Sequence, residues 1–177
     1  MQPGIVVFAI GNRSRGDDAI GPLLLERLAT WLAAEARSGA FELIEDYQLQ
    51  IEHALDLQDK RLALFIDAGC GTTAPLEFYA IGPARAAVAR GTHELPPQGV
   101  LDVYRQVALV EPPPSFVLCV RGERFELGEG LSGPAAAHAE AAWRQLALLC
   151  READAALWRV MAENLLHDEG TPSLMLP

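Results

Sequence analysis

Three residues of this chain, Asp18, Asp67 and His93, have side chains that bind divalent metals and stand near the ends of apolar segments. Asp18 follows the apolar run 5–10 after a short polar loop, and Asp67 directly follows the apolar run 62–66. His93 lies in an irregular stretch further along the chain. Two carboxylates and one imidazole leave coordination positions open, which is typical of a metal that engages a substrate and not of a closed structural site.

The elements that position these residues alternate between strands and helices, which predicts an α/β fold. We expect a three-layer sandwich, with a mostly parallel, twisted five-stranded sheet flanked by helices on both faces. The predicted strands are 5–10, 41–45, 62–66, 76–81 and 115–120, and the predicted helices are 23–36, 51–57, 100–107 and most of 134–163. A short glycine-containing link favours antiparallel pairing of the fourth strand with the third. We expect one domain over residues 1–177, with a frayed tail after Asn164.

Sheet geometry brings the distant residues together. In open α/β sheets, ligands bind beyond the carboxyl ends of the strands, where the winding direction reverses. If the first and third strands are neighbours and the second lies outside the first, this point falls between the loops after Ile10 and Ile66. We therefore expect Asp18 and Asp67 to face each other across one crevice, with His93 folded over the same edge.

The loop after the first strand has two other interpretations. Gly11 and Gly16 suggest a nucleotide-binding turn, but the GxGxxG pattern is absent, and Asp17 and Asp18 would repel a phosphate at the helix start. A cation suits this turn better. Alternatively, the two acids simply cap the following helix and favour its positive end, and this alternative stays open.

Composition excludes several classes of function. The 177 residues carry a net charge of -10, which disfavours nucleic acid or an anionic membrane surface as a partner. Cys70, Cys119 and Cys150 lack CxxC spacing, so neither a structural zinc site nor a disulfide framework is expected. No apolar run approaches the roughly 20 residues that span a bilayer, and no secretory leader is evident. We expect a cytoplasmic protein.

Several other reactive residue types have ordinary explanations. We expect Cys70 to be a half-buried, inert thiol and His53 to be a surface or boundary residue. Ser132 precedes the last helical region and is expected to be its N-cap. Arg13 and Arg15 are expected to be solvated in the first loop, where they could also contact a partner.

The sequence resembles the hydrogenase maturation endopeptidases, which process the large subunit of nickel-iron hydrogenases. The resemblance covers nearly the whole chain in order and approximate spacing. It rests on GN at 11–12 and GDDAIG at 16–21 after the first strand, IDA at 66–68 after the third, His93 with Leu95 and VLDV at 100–103, and LGEGLS at 127–132.

The resemblance implies a fold of the phosphorylase/hydrolase-like type and a specific activity. Members of the family are nickel-linked proteases that remove a C-terminal extension from the hydrogenase large-subunit precursor after nickel insertion. The family's metal positions carry over to Asp18, Asp67 and His93, with the nickel supplied by the precursor. Some members have Glu where this chain has Asp18. A further acid carries over to Asp46, but the glycine-rich continuation of the family is replaced here by YQLQ at 47–50.

The chemistry of cleavage has more than one possible route. The metal trio Asp18, Asp67 and His93 could also be catalytic, because a bound metal can polarise a carbonyl or lower the pKa of an attacking water. Asp17 and Asp46 are weaker candidates for the base, and the sequence does not choose between them. The alternative function is a general α/β metal-dependent hydrolase or a metal-binding chaperone that cuts no hydrogenase precursor.

Overall fold

The computed structural model describes residues 3–84 and 95–168, with side chains up to residue 165. The strands within these ranges are β1 (Ile5–Ile10), β2 (Phe41–Asp46), β3 (Leu62–Gly69), β4 (Leu76–Ile81) and β5 (Ser115–Arg121). The α-helices are α1 (Ile20–Ala34), α2 (Pro97–Ala108), α3 (Gly133–Glu152) and α4 (Ala155–Asp168). Three 3-10 segments, Gly16–Ala19, Ser38–Ala40 and Ile51–Leu57, connect them.

The strands form one sheet in the order β2-β1-β3-β5-β4. The pairs β1 with β2, β1 with β3 and β3 with β5 are parallel, and β4 with β5 is antiparallel. The expected mostly parallel five-stranded sheet is therefore confirmed. The first and third strands are neighbours and the second lies outside the first, so the winding direction reverses between β1 and β3.

The predicted pairing of the fourth strand with the third is wrong. Both edges of β3 are taken by parallel neighbours, β1 on one side and β5 on the other. The chain therefore carries β4 past β5 to the outer edge, where it pairs antiparallel from Leu76 opposite Val120 to Ile81 opposite Ser115. A short link fixes the distance that the chain can travel, but it does not reveal which sheet edges are already occupied.

Helices cover both faces of the sheet, as the three-layer prediction requires. Strand side chains alternate between the faces, so Val7 and Phe8 belong to different hydrophobic cores. The first core packs under α1, α3 and α4, and the second packs under α2 and the segment Ile51–Leu57. Each core contains large side chains that are fully buried, such as Trp158 in the first and Phe65 in the second.

The helix boundaries differ from the predicted ones for local reasons. Helix α2 begins three residues earlier than expected because Pro96 is its N-cap and Pro97 occupies its first turn, where a missing N–H is harmless. The long helical stretch after Ser132 divides at Ala153, which adopts a left-handed conformation with φ of 47° and ends α3. Helix α4 continues to Asp168, beyond the expected start of fraying at Asn164, and the rest of the tail lies outside the described residues.

None of the helices in the described ranges is both long and apolar enough to cross a membrane.

Candidate functional site

The carboxyl ends of the parallel strands carry acidic side chains at one level of the sheet. Asp46 pairs with Ile10 across β2 and β1, and Asp67 pairs with Cys119 across β3 and β5. The register of β1 with β3 places Asp67 one residue beyond the last pair, level with Ile10. Ile10 and Cys119 pack against the second core, so strand alternation puts the side chains of this row on the face covered by α2.

Asp67 lies near two groups, Cys119 and Tyr79, whose pKa values respond to its charge. Burial raises the pKa of the Cys119 thiol, and the negative charges of Asp67 and Glu77 raise it further. The pKa of Tyr79 is raised by burial first, and then by the charges of Cys119, Glu77 and Asp67. Both groups therefore stay protonated near neutral pH, and Cys119 does not supply a thiolate here. The acidic groups of this row are therefore the carboxylates of Asp46 and Asp67, with Cys119 a neutral thiol, and carboxylates held close together attract a cation.

Asp18 reaches this edge through a tight loop after β1. Its Oδ2 accepts a hydrogen bond of 2.9 Å from the backbone N–H of Asn12, which fixes the carboxylate relative to the end of the strand. Gly11 has φ of 142° and its α-carbon lies against the carbonyl of Asp18, so a side chain there would collide with the backbone. The turn Gly16–Ala19 that carries Asp18 contacts β3, the strand that carries Asp67. The two acids thus stand on touching elements, and that their side chains face each other across one crevice stays a prediction.

Asp17 is fully buried and joins the first loop to the loop before α3. Its Oδ1 accepts from the N–H of Ser132 at 2.7 Å, and its Oδ2 accepts from the N–H groups of Glu123 and Arg124 and from the Ser132 hydroxyl, at 2.7 to 2.9 Å. Burial alone would raise the pKa of Asp17, but these hydrogen bonds outweigh burial and lower it. Asp17 is therefore an ionised anchor between loops.

Helix capping does not explain the two adjacent acids. Helix α1 has Ala19 as its N-cap, and no side chain bonds to its first turn there. The Asp17 carboxylate bonds to the distant loop, and the Asp18 carboxylate bonds backwards to Asn12. The alternative that both acids merely cap the helix is therefore wrong.

Arg13 is not simply solvated, although its side chain is 43% exposed. Its guanidinium contacts both carboxylate oxygens of Glu45 at 2.7 and 2.8 Å, and its Nη1 donates to Glu26 at 2.7 Å. These contacts raise the pKa of Arg13, with the Glu45 hydrogen bonds the largest cause. Arg13 thereby ties the loop after β1 to the end of β2 and to α1.

His93 lies outside the described residues, so its predicted place beside Asp18 and Asp67 stays a prediction. The chain on either side of residues 85–94 is anchored on the α2 side of the sheet. Ala84 donates its N–H to the carbonyl of Gln98 at 3.3 Å, and Leu95 donates to the carbonyl of Leu49 at 3.4 Å. Leu95, two residues after His93, also packs against the second core.

His53 is buried at 8% exposure, so its expected surface or boundary position is wrong. It stands at the start of Ile51–Leu57 and packs edge-on against Phe8, with 5.7 Å between ring centroids. Its Nε2 lies 3.4 Å from Oδ2 of Asp46. The sequence did contain a signal for this position, because Gln50 and His53 have the spacing of a capping box, and that reciprocal pair forms at the start of the segment.

The prediction for Ser132 is confirmed, and the prediction for Cys70 is wrong. Ser132 is the N-cap of α3, as predicted, with its side chain accepting from the N–H of Ala135. Cys70 is exposed and not half-buried, because β3 ends at Gly69 and the next residue turns outward.

Among residues 3–84 and 95–168, no group of three or more His, Cys, Asp or Glu side chains is arranged to hold a metal ion. The described part of the candidate site supplies two carboxylates, from Asp18 and Asp67. Carboxylate oxygens accept divalent cations, and a borderline metal such as nickel binds more firmly when an imidazole is added. The two described carboxylates can bind a divalent cation and leave most of its coordination positions open.

Comparisons with known structures show the fold. The E. coli hydrogenase maturating endopeptidase HybD is 24% identical over 86% of this chain and 94% of its own, with a TM-score of 0.66. The NiFe hydrogenase maturation protease HycI from Thermococcus kodakarensis KOD1 is 24% identical over 83% of this chain and 92% of its own, with a TM-score of 0.61. An endopeptidase from Escherichia coli, solved in solution, has a TM-score of 0.63 at 24% identity, and covers 86% of this chain and 94% of its own. The sequence matches no protein-family model and no curated protein.

Proposed function

We propose that this chain, which has the fold of the hydrogenase maturation endopeptidases, removes the C-terminal extension of a nickel-iron hydrogenase large-subunit precursor after nickel insertion. Asp18, Asp67 and His93 recognise the nickel that the precursor carries. Metal recognition is then the checkpoint, because a precursor without nickel lacks the group that these side chains bind.

One observation carries the proposal. Asp18 and Asp67 stand on touching elements at the point where the sheet reverses its winding direction, in a chain that superposes on 94% of an endopeptidase for hydrogenase maturation. Two carboxylates held at this edge are suited to a cation presented by another protein. The nearby carboxylates of Asp46 and Glu77 favour the approach of that cation.

The surroundings of the two candidate bases support Asp46 over Asp17. Asp17 is fully buried and its oxygens already accept four hydrogen bonds. Asp46 keeps 35% of its side chain exposed at the end of β2, where a water molecule can reach it. A general base must lie within hydrogen-bond reach of the proton it takes, and we therefore assign that role to Asp46.

The test is a processing assay on purified precursor with and without nickel. We expect the wild-type protein to shorten only the nickel-loaded large subunit, as seen on a denaturing gel and by mass spectrometry of the product. Asp67→Asn and His93→Ala should each lower the rate about 100-fold or more, because the first removes the negative charge of a metal ligand and the second removes an imidazole ligand. Glu163→Gln, which neutralises an exposed carboxylate on α4, is the matched control and should leave the rate unchanged.

Two results would contradict the proposal. If the wild-type protein binds nickel but releases no C-terminal extension from any loaded precursor, the chain is a metal-binding chaperone or a different hydrolase. If His93→Ala processes the loaded precursor at the wild-type rate, His93 is not part of metal recognition.

A further inference from the structure

The imidazole of His53 is held in one orientation by contacts on both sides of the ring. The ring packs edge-on against Phe8, with an interplanar angle of 90°. Its Nδ1 lies 2.9 Å from the backbone N–H of Gln50. The side chain is only 10% exposed, so the ring is enclosed on the α2 side of the sheet, just below the acidic row.

These contacts decide which ring nitrogen carries the proton. A backbone N–H can only donate, so Nδ1 must present its lone pair to Gln50. In the neutral ring the proton therefore resides on Nε2. Nε2 lies 3.4 Å from Oδ2 of Asp46, which is close enough for direct attraction.

The Asp46 carboxylate is held on its other side by the backbone. The side-chain Oδ1 accepts from the N–H of Tyr47 at 2.6 Å. The backbone carbonyl of Asp46 accepts from the N–H of Gly11 at 3.0 Å. The second contact joins Asp46 to the loop that leads to Asp18. Because Oδ1 is bonded to the backbone, the direction of Oδ2 depends on the group beside it. That group is Nε2 of His53.

We propose that His53 is a positioning residue that orients the Asp46 carboxylate for catalysis. This inference rests on the proposed function, since Asp46 acts there as the base. His53 does not touch the substrate, because its ring is enclosed and both nitrogens already face partners. It acts through Asp46 by keeping a lone pair of Oδ2 directed at the attacking water. Without His53 the carboxylate would be misaligned, and misalignment of a base slows the chemical step more than it weakens binding.

Two substitutions separate the two ring nitrogens. The amide nitrogen of Gln reaches the position of Nε2, so His53→Gln keeps a donor beside Asp46 and loses the acceptor for Gln50. The amide oxygen of Asn reaches the position of Nδ1, so His53→Asn keeps the acceptor and loses the donor. The two variants are similar in polarity, and each removes one of the two contacts.

We expect His53→Asn to lower kcat about 10- to 100-fold on nickel-loaded precursor, with KM within about twofold of wild type. His53→Gln should stay within about threefold of the wild-type kcat. If the two variants lose activity equally while both remain folded by circular dichroism, or if His53→Asn retains the wild-type kcat, the positioning role is overturned. A wild-type protein that cleaves nothing would instead contradict the proposed function.

A second measurement does not depend on cleavage. Long-range proton–nitrogen NMR spectra of the wild-type protein, recorded at about pH 8, should show His53 protonated at Nε2 and unprotonated at Nδ1. Asp46→Ala should shift the Nε2 resonance and leave Nδ1 nearly unchanged. A ring protonated at Nδ1, or an Nε2 resonance that ignores Asp46→Ala, would overturn the proposal even if processing is normal.

Discussion

At the scale of single residues, Asp17 and Asp18 are neighbours in the chain with different surroundings. Asp17 is fully buried and accepts four hydrogen bonds from residues more than 100 positions away. Asp18 is half-buried and bonds to Asn12, six positions back. Burial of a carboxylate is tolerated only when donors replace its water. Asp17 thus holds the loops together, while the Asp18 carboxylate bonds only within the loop after β1 in the hydrogen bonds described.

Replacing Asp17 by Asn tests this difference. An amide NH2 group would face one of the N–H donors in a place without water, and the charge that strengthens these hydrogen bonds would be lost. We expect Asp17→Asn to lower the free energy of unfolding by about 3 kcal/mol, measured by urea denaturation. Asp18→Asn is the matched control and should cost less than about 1 kcal/mol. Equal losses in the two variants would contradict the anchoring role.

The lowered pKa of Asp17 also predicts a dependence of stability on pH. In the unfolded chain the group has its ordinary pKa, and in the folded protein its pKa is lower. The stabilisation is therefore complete above the ordinary value of 3.8 and is lost as pH falls through the lower folded-state value. Urea denaturation between about pH 6 and 2.5 should show wild type losing stability more steeply than Asp17→Asn.

Some slope should remain in the Asp17→Asn variant. The pKa of Glu45 is lowered by its hydrogen bonds with Arg13, and that of Glu77 by its hydrogen bond with Thr73. Both carboxylates lose stabilisation in the same direction as pH falls, by smaller amounts because they are near the surface. If the variant and wild type have identical slopes, folding does not lower the pKa of Asp17.

At the scale of elements, the start of α1 packs directly onto the ends of two strands. A methyl group on Gly21 would stand 2.6 Å from the carbonyl oxygen of Ile10 and 3.3 Å from that of Ile66. Backbone oxygens of two paired strands cannot move aside cheaply. The absence of a side chain at Gly21 therefore sets how closely the turn carrying Asp18 approaches β3.

Gly21→Ala should push α1 away from the strand ends. We expect a loss of about 2 kcal/mol in the free energy of unfolding, together with slower processing of nickel-loaded precursor because Asp18 moves relative to Asp67. The control is Gly39→Ala, where a methyl group meets nothing within 4 Å and stability should hardly change. Thermal unfolding of both variants measures the change in stability. Unchanged stability of Gly21→Ala would show that the start of α1 can shift to accommodate the methyl group.

Elements that are buried on both faces could be predicted from the sequence, whereas contacts between distant elements could not. The apolar runs of β1 and β3 can be recognised in the sequence because strands buried on both faces contain few polar residues. The partner of β4 depends on which edges other strands occupy, and the burial of His53 depends on a helix packed over the sheet. Asp17 looked like a helix cap because its partners, near Ser132, are remote in sequence. The placement of His93 stays a prediction.

At the scale of the whole molecule, the sheet separates two hydrophobic cores, of which only one lies below the candidate site. The core under α2 includes Phe8 and Phe65, whose stacked rings lie below the acidic row at the candidate site. The core under α1, α3 and α4 lies on the opposite face and contains Trp158. The two cores lie on opposite faces of the sheet, so stability lost from the first core, which contains Trp158, should not change the geometry at the strand ends while the protein stays folded.

Trp158→Phe tests this separation. Trp158 is fully buried, its rings stand edge-on to Phe78 and Phe116, and its Nε1 donates to the carbonyl of Leu149 at 3.0 Å. The smaller ring leaves a cavity and removes one hydrogen bond to the Leu149 carbonyl, which keeps its bond from the N–H of Ala153, so we expect a loss of about 2 kcal/mol in the free energy of unfolding. Processing at a temperature well below the melting transition should keep its wild-type kcat. A fall in kcat as large as that of His53→Asn, in a fully folded variant, would mean that the two faces are coupled through the sheet and that the site depends on the packing of α4.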